Sequence, residues 1–132
     1  MGAFGVGAGR YAQEMSAQND APAIDVEPER VASWMAEDLP PQVIDVREPY
    51  EREAGHIEGS RHIELVRLSA EAGTIERGRP VVVYCRVGAR SAMAAQALRA
   101  GGFDAYSMSG GLLRWAGEGR PLSPEGGNVA EH

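Results

Sequence analysis

The run Val81-Val82-Val83-Tyr84 most constrains the fold. Four β-branched or aromatic residues without polar alternation suit a strand covered on both faces, as in a parallel sheet packed between helices. Parallel neighbours need connections long enough to hold a helix. Ile24-Asp25-Val26, Val43-Ile44-Asp45-Val46, Arg61-His62-Ile63 and Ala105-Tyr106-Ser107 are the other strand candidates, and most are separated by helix-like segments. Pro28 suits the first position of a helix, with Val31, Trp34, Met35 and Leu39 following at helical spacing. A second helix is predicted from Arg90 to Ala100, with Met93, Ala94, Ala97 and Leu98 on one face and Gly101-Gly102 as its stop. A third spans Gly111 to Gly117 and packs Leu112 and Trp115. Between Val66 and Arg79 the pattern is ambiguous, with a helical turn around Ser69 to Ala72. The alternation predicts an α/β fold, a three-layer α/β/α sandwich around a parallel sheet.

The chain has 132 residues, which bounds it to one domain of about 100 ordered residues. The expected organisation is a flexible leader over residues 1–22, a domain over 23–124 and a flexible tail over 125–132. The leader is rich in Gly, Ala, Gln, Ser and Asn and offers little to bury. Its apolar residues alternate with glycine and no basic residue precedes them, which argues against a secretory signal. No apolar run approaches the roughly 20 residues of a membrane span. The 13 basic residues are all arginine, against 19 acidic ones, giving a net charge of −6. That balance argues against a nucleic-acid or anionic-membrane partner. The absence of lysine excludes Schiff-base chemistry. A single cysteine permits no internal disulfide and suits a reducing compartment, the cytoplasm. With three histidines as its only soft companions, it argues against structural zinc, and no metal or organic cofactor is expected.

The informative segment is Cys85-Arg86-Val87-Gly88-Ala89-Arg90-Ser91, between the buried strand and the second helix. Ligands bind open α/β sheets at the carboxyl ends of strands. A short loop with a flexible glycine, wrapping onto a helix N-terminus, can turn several backbone N–H groups toward one point, and Cys85 is best placed to occupy it. Lowering a thiol by two units from about 8.5 takes roughly 2.7 kcal/mol. A helix end contributes at most about 2 kcal/mol, so further N–H donors and the guanidinium of Arg86 or Arg90 are needed. A buried structural thiol is the plain alternative. Two arginines within five positions of a core cysteine would be costly to bury, which favours a loop facing water and an anion.

Asp45-Val46-Arg47-Glu48-Pro49-Tyr50-Glu51, Gly55-His56-Ile57-Glu58-Gly59-Ser60 and Val82-Val83-Tyr84-Cys85-Arg86-Val87-Gly88-Ala89-Arg90-Ser91 together resemble the single-domain rhodaneses. Gly110-Gly111-Leu112-Leu113-Arg114-Trp115 is similar to that family's final helix. The resemblance covers residues 23–124 and implies a five-stranded parallel sheet and a cysteine that carries sulfur as a persulfide. The family often has proline where Glu58 and Glu64 stand and alanine where Ser60 stands. These three positions are expected to lie away from the sulfur loop and to bear on docking rather than chemistry.

The expected activity is thiosulfate-type sulfur transfer, with Cys85 as the nucleophile. Arg86, Val87, Gly88, Ala89, Arg90 and Ser91 would bind substrate through backbone N–H groups, with Arg90 holding the anion and Arg86 either sharing that role or standing as a solvated loop charge. The partners would be a small anionic sulfur donor and a thiol or cyanide acceptor, a protein thiol included. Asp45 and Arg47 are expected to form a buried ion pair or to fix the loop. Neither His56 nor His62 is assigned a role as base, and Met35, Met93, Trp34 and Trp115 are read as core. Arg90 opposes the dipole of its helix, so a structural reason for it is weak. Two alternatives stand beside this activity: a sulfur-sensing or protein-interaction module, and a phosphatase or arsenate reductase. Only four residues separate Cys85 from Arg90, one fewer than the loop expected of phosphatases with this fold.

Overall fold

A computed structural model describes residues 23–132, so the expected leader lies outside the described residues. Five strands, β1 (Asp25–Val26), β2 (Gln42–Asp45), β3 (Arg61–His62), β4 (Val81–Tyr84) and β5 (Ala105–Met108), form one sheet in the order β1-β5-β4-β2-β3. Every pairing is parallel. The helices are α1 (Pro28–Met35), α2 (Pro49–Ala54), α3 (Leu68–Glu71), α4 (Ala89–Ala100) and α5 (Gly111–Gly117), with 3-10 turns on either side of α3.

The central strand shows why the sheet must be covered twice. Side chains alternate along a strand. Val81 and Val83 therefore enter a core with Ala94, Leu98 and Phe103 on the α3–α4 side. Val82 and Tyr84 enter a second core with Val31, Leu112 and Trp115 on the α1–α5 side. All four residues of β4 are buried. The molecule is thus a three-layer α/β/α sandwich.

The helices depart from the expected pattern at three points. Leu39 continues the spacing of α1, but the helix ends at Met35 before Pro40-Pro41, and Leu39 is 83% exposed. Met93 was expected in the core and is 57% exposed. It lines an open apolar hollow with Leu68, Ala97 and Phe103, because Ala94 and Leu98 take the inner face of α4. The helix α2 was not foreseen: its one buried residue is Glu51, so it has no apolar period to read.

The tail over 125–132, expected to be flexible, packs back along α2. Asn128 N–H donates to the Ala54 carbonyl at 2.8 Å, and the Tyr50 hydroxyl donates to the Glu131 carbonyl at 3.1 Å. Val129 packs against the α1–α5 core. Gly55 permits this approach, since a Cβ there would lie 2.4 Å from the Asn128 carbonyl oxygen.

Ile44, on β2, is 1% exposed in the α3–α4 core. Ile44→Ala is expected to cost about 2–5 kcal/mol through lost burial and the cavity left behind. Urea unfolding measures it, and a loss under about 1 kcal/mol would show that this core repacks freely.

Candidate active site

Cys85 follows β4 and shares the face of Val81 and Val83, which places its side chain under the first turn of α4. Gly88 precedes α4 with φ +114°, a left-handed backbone that favours glycine. The chain turns there so that the N–H groups of Gly88 and Ser91 point at Cys85 Sγ, with nitrogen–sulfur distances of 3.1 and 3.4 Å. Among the described residues these are the amides that reach the sulfur, while the side chains of Val87 and Ala89 face solvent. The Cys85 thiol lies 3.5 Å from Ser91 Oγ, which is 2.8 Å from Ser107 Oγ on β5 and donates to the Gly88 carbonyl at 3.2 Å.

A second glycine fixes the loop from below. Gly111 has φ +60°, and a Cβ there would lie 2.4 Å from the Arg86 carbonyl oxygen. This close approach lets the first turn of α5 donate to the loop: Leu112 N–H reaches the Cys85 carbonyl at 2.8 Å and Leu113 N–H the Arg86 carbonyl at 3.0 Å. The Gly110-Gly111-Leu112 motif therefore acts on the sulfur loop through its backbone.

Cys85 was expected to be reachable, but it is 0% exposed. The strand end seats the sulfur in the core and the loop closes over it. The amides converge as expected, and solvent contact is what the closed loop removes.

Both terminal nitrogens of Arg90 donate to the carboxylate of Glu51, at 2.8 and 2.9 Å. Glu51 itself is fully buried. Burial opposes its ionisation, but hydrogen bonds from Arg90 and the Glu48 backbone outweigh that and hold its carboxyl below the ordinary value. The ion pair supplies the structural reason for Arg90 that its helix position hid. Arg86 is different: its Nε is enclosed and has no acceptor.

Asp45 and Arg47 form a buried bidentate pair, with nitrogen–oxygen distances of 2.8 and 2.7 Å. Arg47 also donates to the Gly55 carbonyl, and Arg52 adds a second cation at 3.3 Å from Asp45. Burial disfavours the Asp45 carboxylate, but the hydrogen bonds and charge of Arg47 lower its pKa overall. Burial, then the charge of Asp45, pushes the Tyr84 phenol up to about 12, so it donates to Asp45 as a neutral group. Ser60 Oγ joins this network 3.0 Å from the Tyr84 hydroxyl. His62 donates to the Arg47 carbonyl and His56 to that of Arg52, so both rings brace the backbone.

A cavity of about 330 Å³ opens beside the loop, lined among others by Glu48, Glu64, Val66, Arg90 and His132. Glu64 was expected to lie away from the sulfur loop, but the turn after β3 carries it to the same opening as Arg90. Glu48, Glu51 and His132 bring potential ligand atoms within 4.8 Å of one another. Arg90 already occupies both oxygens of Glu51, so this cluster is an ion-pair network in character.

Residues 27–118 match the Rhodanese-like domain model, and the chain belongs to that family. It is 30% identical over 104 residues to a sulfurtransferase of Allochromatium vinosum, covering 77% of this chain and 97% of that protein. It is 39% identical over 75 residues to the thiosulfate sulfurtransferase GlpE of Pseudomonas aeruginosa, covering 56% of this chain and 68% of that one. A rhodanese-related protein of Thermoplasma volcanium superposes with a TM-score of 0.71 at 30% identity, covering 76% of this chain and 98% of that structure. The matched region spans 62% of another curated relative and 25% of a further, much longer one. Among the described residues no helix is long and apolar enough to cross a membrane.

Asp45 and Glu51 both have depressed pKa values. Their stabilisation is fully present above the unfolded-state values near 4 and is lost as pH falls through the lower folded-state values. Thermal unfolding should give a flat Tm from about pH 7 to 5 and a steep fall below about pH 4. Glu51→Gln should flatten that acid limb, and an unchanged limb would mean that Glu51 is not held ionised.

Proposed function

We propose that this protein is a sulfurtransferase that carries a sulfane sulfur on Cys85 as a persulfide, taken from thiosulfate or a similar anionic donor. The Cys85 thiolate attacks the outer sulfur of thiosulfate; the sulfur–sulfur bond breaks and its electron pair leaves with sulfite. An acceptor thiolate or cyanide then attacks the outer sulfur of the persulfide, and the electron pair of that bond returns to Cys85. This double displacement predicts ping-pong kinetics.

The observation that carries the reading is the aim of the Gly88 and Ser91 amides at Sγ from the first turn of a 12-residue helix. Such donors stabilise sulfur anions and cost no reorganisation when the charge forms. The Ser91 hydroxyl is a third donor. When the thiol loses its proton, this hydroxyl turns from the Gly88 carbonyl to the sulfur, and that carbonyl keeps the Ala92 N–H at 3.0 Å. Val87 and Ala89 shape the loop, and the unpaired Nε of Arg86 suits a donor anion. Arg90 contributes its charge beside the sulfur while it holds Glu51. Sulfur reaches Cys85 when side chains of the loop shift and leave the Gly88 and Ser91 amides in place. The names of the Allochromatium and Pseudomonas relatives support sulfur transfer in general terms. A single free thiol fits a reducing cytoplasm.

The burial of Cys85 favours one second reading, a sulfur-sensing module whose slowly exchanging persulfide is the signal. A phosphatase is disfavoured because the terminal nitrogens of Arg90 are committed to Glu51.

Intact-mass measurement after thiosulfate treatment should show one added sulfur atom on the wild type and none on Cys85→Ser. No gain on the wild type, or a gain that survives the substitution, would remove Cys85 from the chemistry. Slow turnover with every acceptor despite full loading would favour the sensor. Glu51→Gln frees the charge of Arg90, so the KM for thiosulfate should fall about threefold to tenfold. An unchanged KM would confine Arg90 to a structural role.

A further inference from the structure

The cavity beside the loop is acidic despite containing Arg90. The guanidinium is matched by Glu51 in a bidentate pair, so its charge is largely cancelled at a distance. Glu48 and Glu64 remain on the wall, and Arg67, whose charge Glu64 feels, is itself paired with Glu71. Glu48 meets the His132 ring at 3.1 Å and caps α2, its side chain accepting from the Glu51 N–H. The whole chain carries −6, so no distant surplus of positive charge offsets this wall. Val66 stands in the open on the cavity wall at 85% exposure, and Val87 is 50% exposed on the sulfur loop.

We propose that this opening receives, as sulfur acceptor, a cysteine carried on a basic, solvent-exposed segment of a partner protein. The inference rests on the persulfide reading and specifies its second half. The carboxylates at the opening repel an acidic thiol and draw a basic one to the sulfur. Flanking arginines or lysines also raise the thiolate fraction of the acceptor cysteine. Val66, exposed on the cavity wall, offers an apolar contact to the segment that carries the cysteine. In the step itself the partner thiolate attacks the outer sulfur of the Cys85 persulfide. That sulfur–sulfur bond breaks, its electron pair returns to Cys85, and the partner leaves as the persulfide, with no external oxidant or reductant. Glu58, by contrast, sits on an exposed turn and does not line the cavity.

The full chain is first loaded with thiosulfate or polysulfide, and loading is read by intact mass. Discharge is then timed with two peptides of equal length, one with its cysteine between arginines and one between glutamates, and with cysteamine and mercaptosuccinate as small cationic and anionic thiols. At low ionic strength the basic peptide should discharge the persulfide about tenfold faster than the acidic one, and the ratio should shrink toward unity in high salt. Glu64→Gln should reduce the ratio and leave discharge by neutral mercaptoethanol unchanged. Equal rates, or a faster acidic peptide, would overturn the proposal while leaving the persulfide reading intact. A basic peptide no faster than cysteamine would replace the protein by a small cationic thiol and overturn it likewise. Failure to load with either donor would remove both readings together.

Discussion

The constraint on which this site depends is the burial of β4 on both faces. A strand covered twice must direct alternate side chains into two cores, and that parity puts the residue after Tyr84 on the α4 side. Once Cys85 is fixed there, the left-handed Gly88 is what brings the amides of the following turn back onto its sulfur. The floor comes from α5, whose first N–H groups satisfy the carbonyls of Cys85 and Arg86. The sulfur loop is therefore held by backbone bonds from two helices. Its side chains are free to differ while the Gly88 and Ser91 amides keep their aim at Sγ.

Charge is handled in two separate ways around this seat. The Asp45–Arg47–Arg52–Tyr84 network is buried between strand ends and braces the sheet near the site. Removing one member would strand another without solvent, which makes such networks costly to break and gives them little net stabilising value by themselves. The Glu51–Arg90 pair has a different consequence. It anchors α2 to the first turn of α4 and at the same moment restrains a cation that acts on the sulfur. The positive field of Arg90 is thereby moderated, and the carboxylates of Glu48 and Glu64 line the opening.

Much of this was legible in the residues and some was hidden for physical reasons. Strand positions followed from β-branched runs, and α4 was readable from its glycine stop. The six-residue α2 was invisible to an apolar period, because the face it buries is the carboxylate of Glu51. Its signal was Pro49 at a helix start, with Glu51 placed to accept from the Glu48 N–H. Met93 shared a predicted face with Ala94 and Leu98, but α3 leaves an open hollow above it. The tail was read as mobile from its composition, and Gly55 shows why composition failed: the bond that holds the tail is backbone to backbone.

By itself the sequence determined the class of the fold, the place of the single thiol at the end of a buried strand, and the glycine that lets a loop turn back on it. Those are local properties, set by side-chain period, backbone freedom and chain order. The tertiary structure decided what pairwise distance alone can decide: that Arg90 is bound to Glu51, that the sulfur is closed off from solvent, and that Glu64 reaches the opening beside it. Ion pairs and cavity walls join residues far apart in the chain, and no local pattern specifies which of several carboxylates will meet a given arginine.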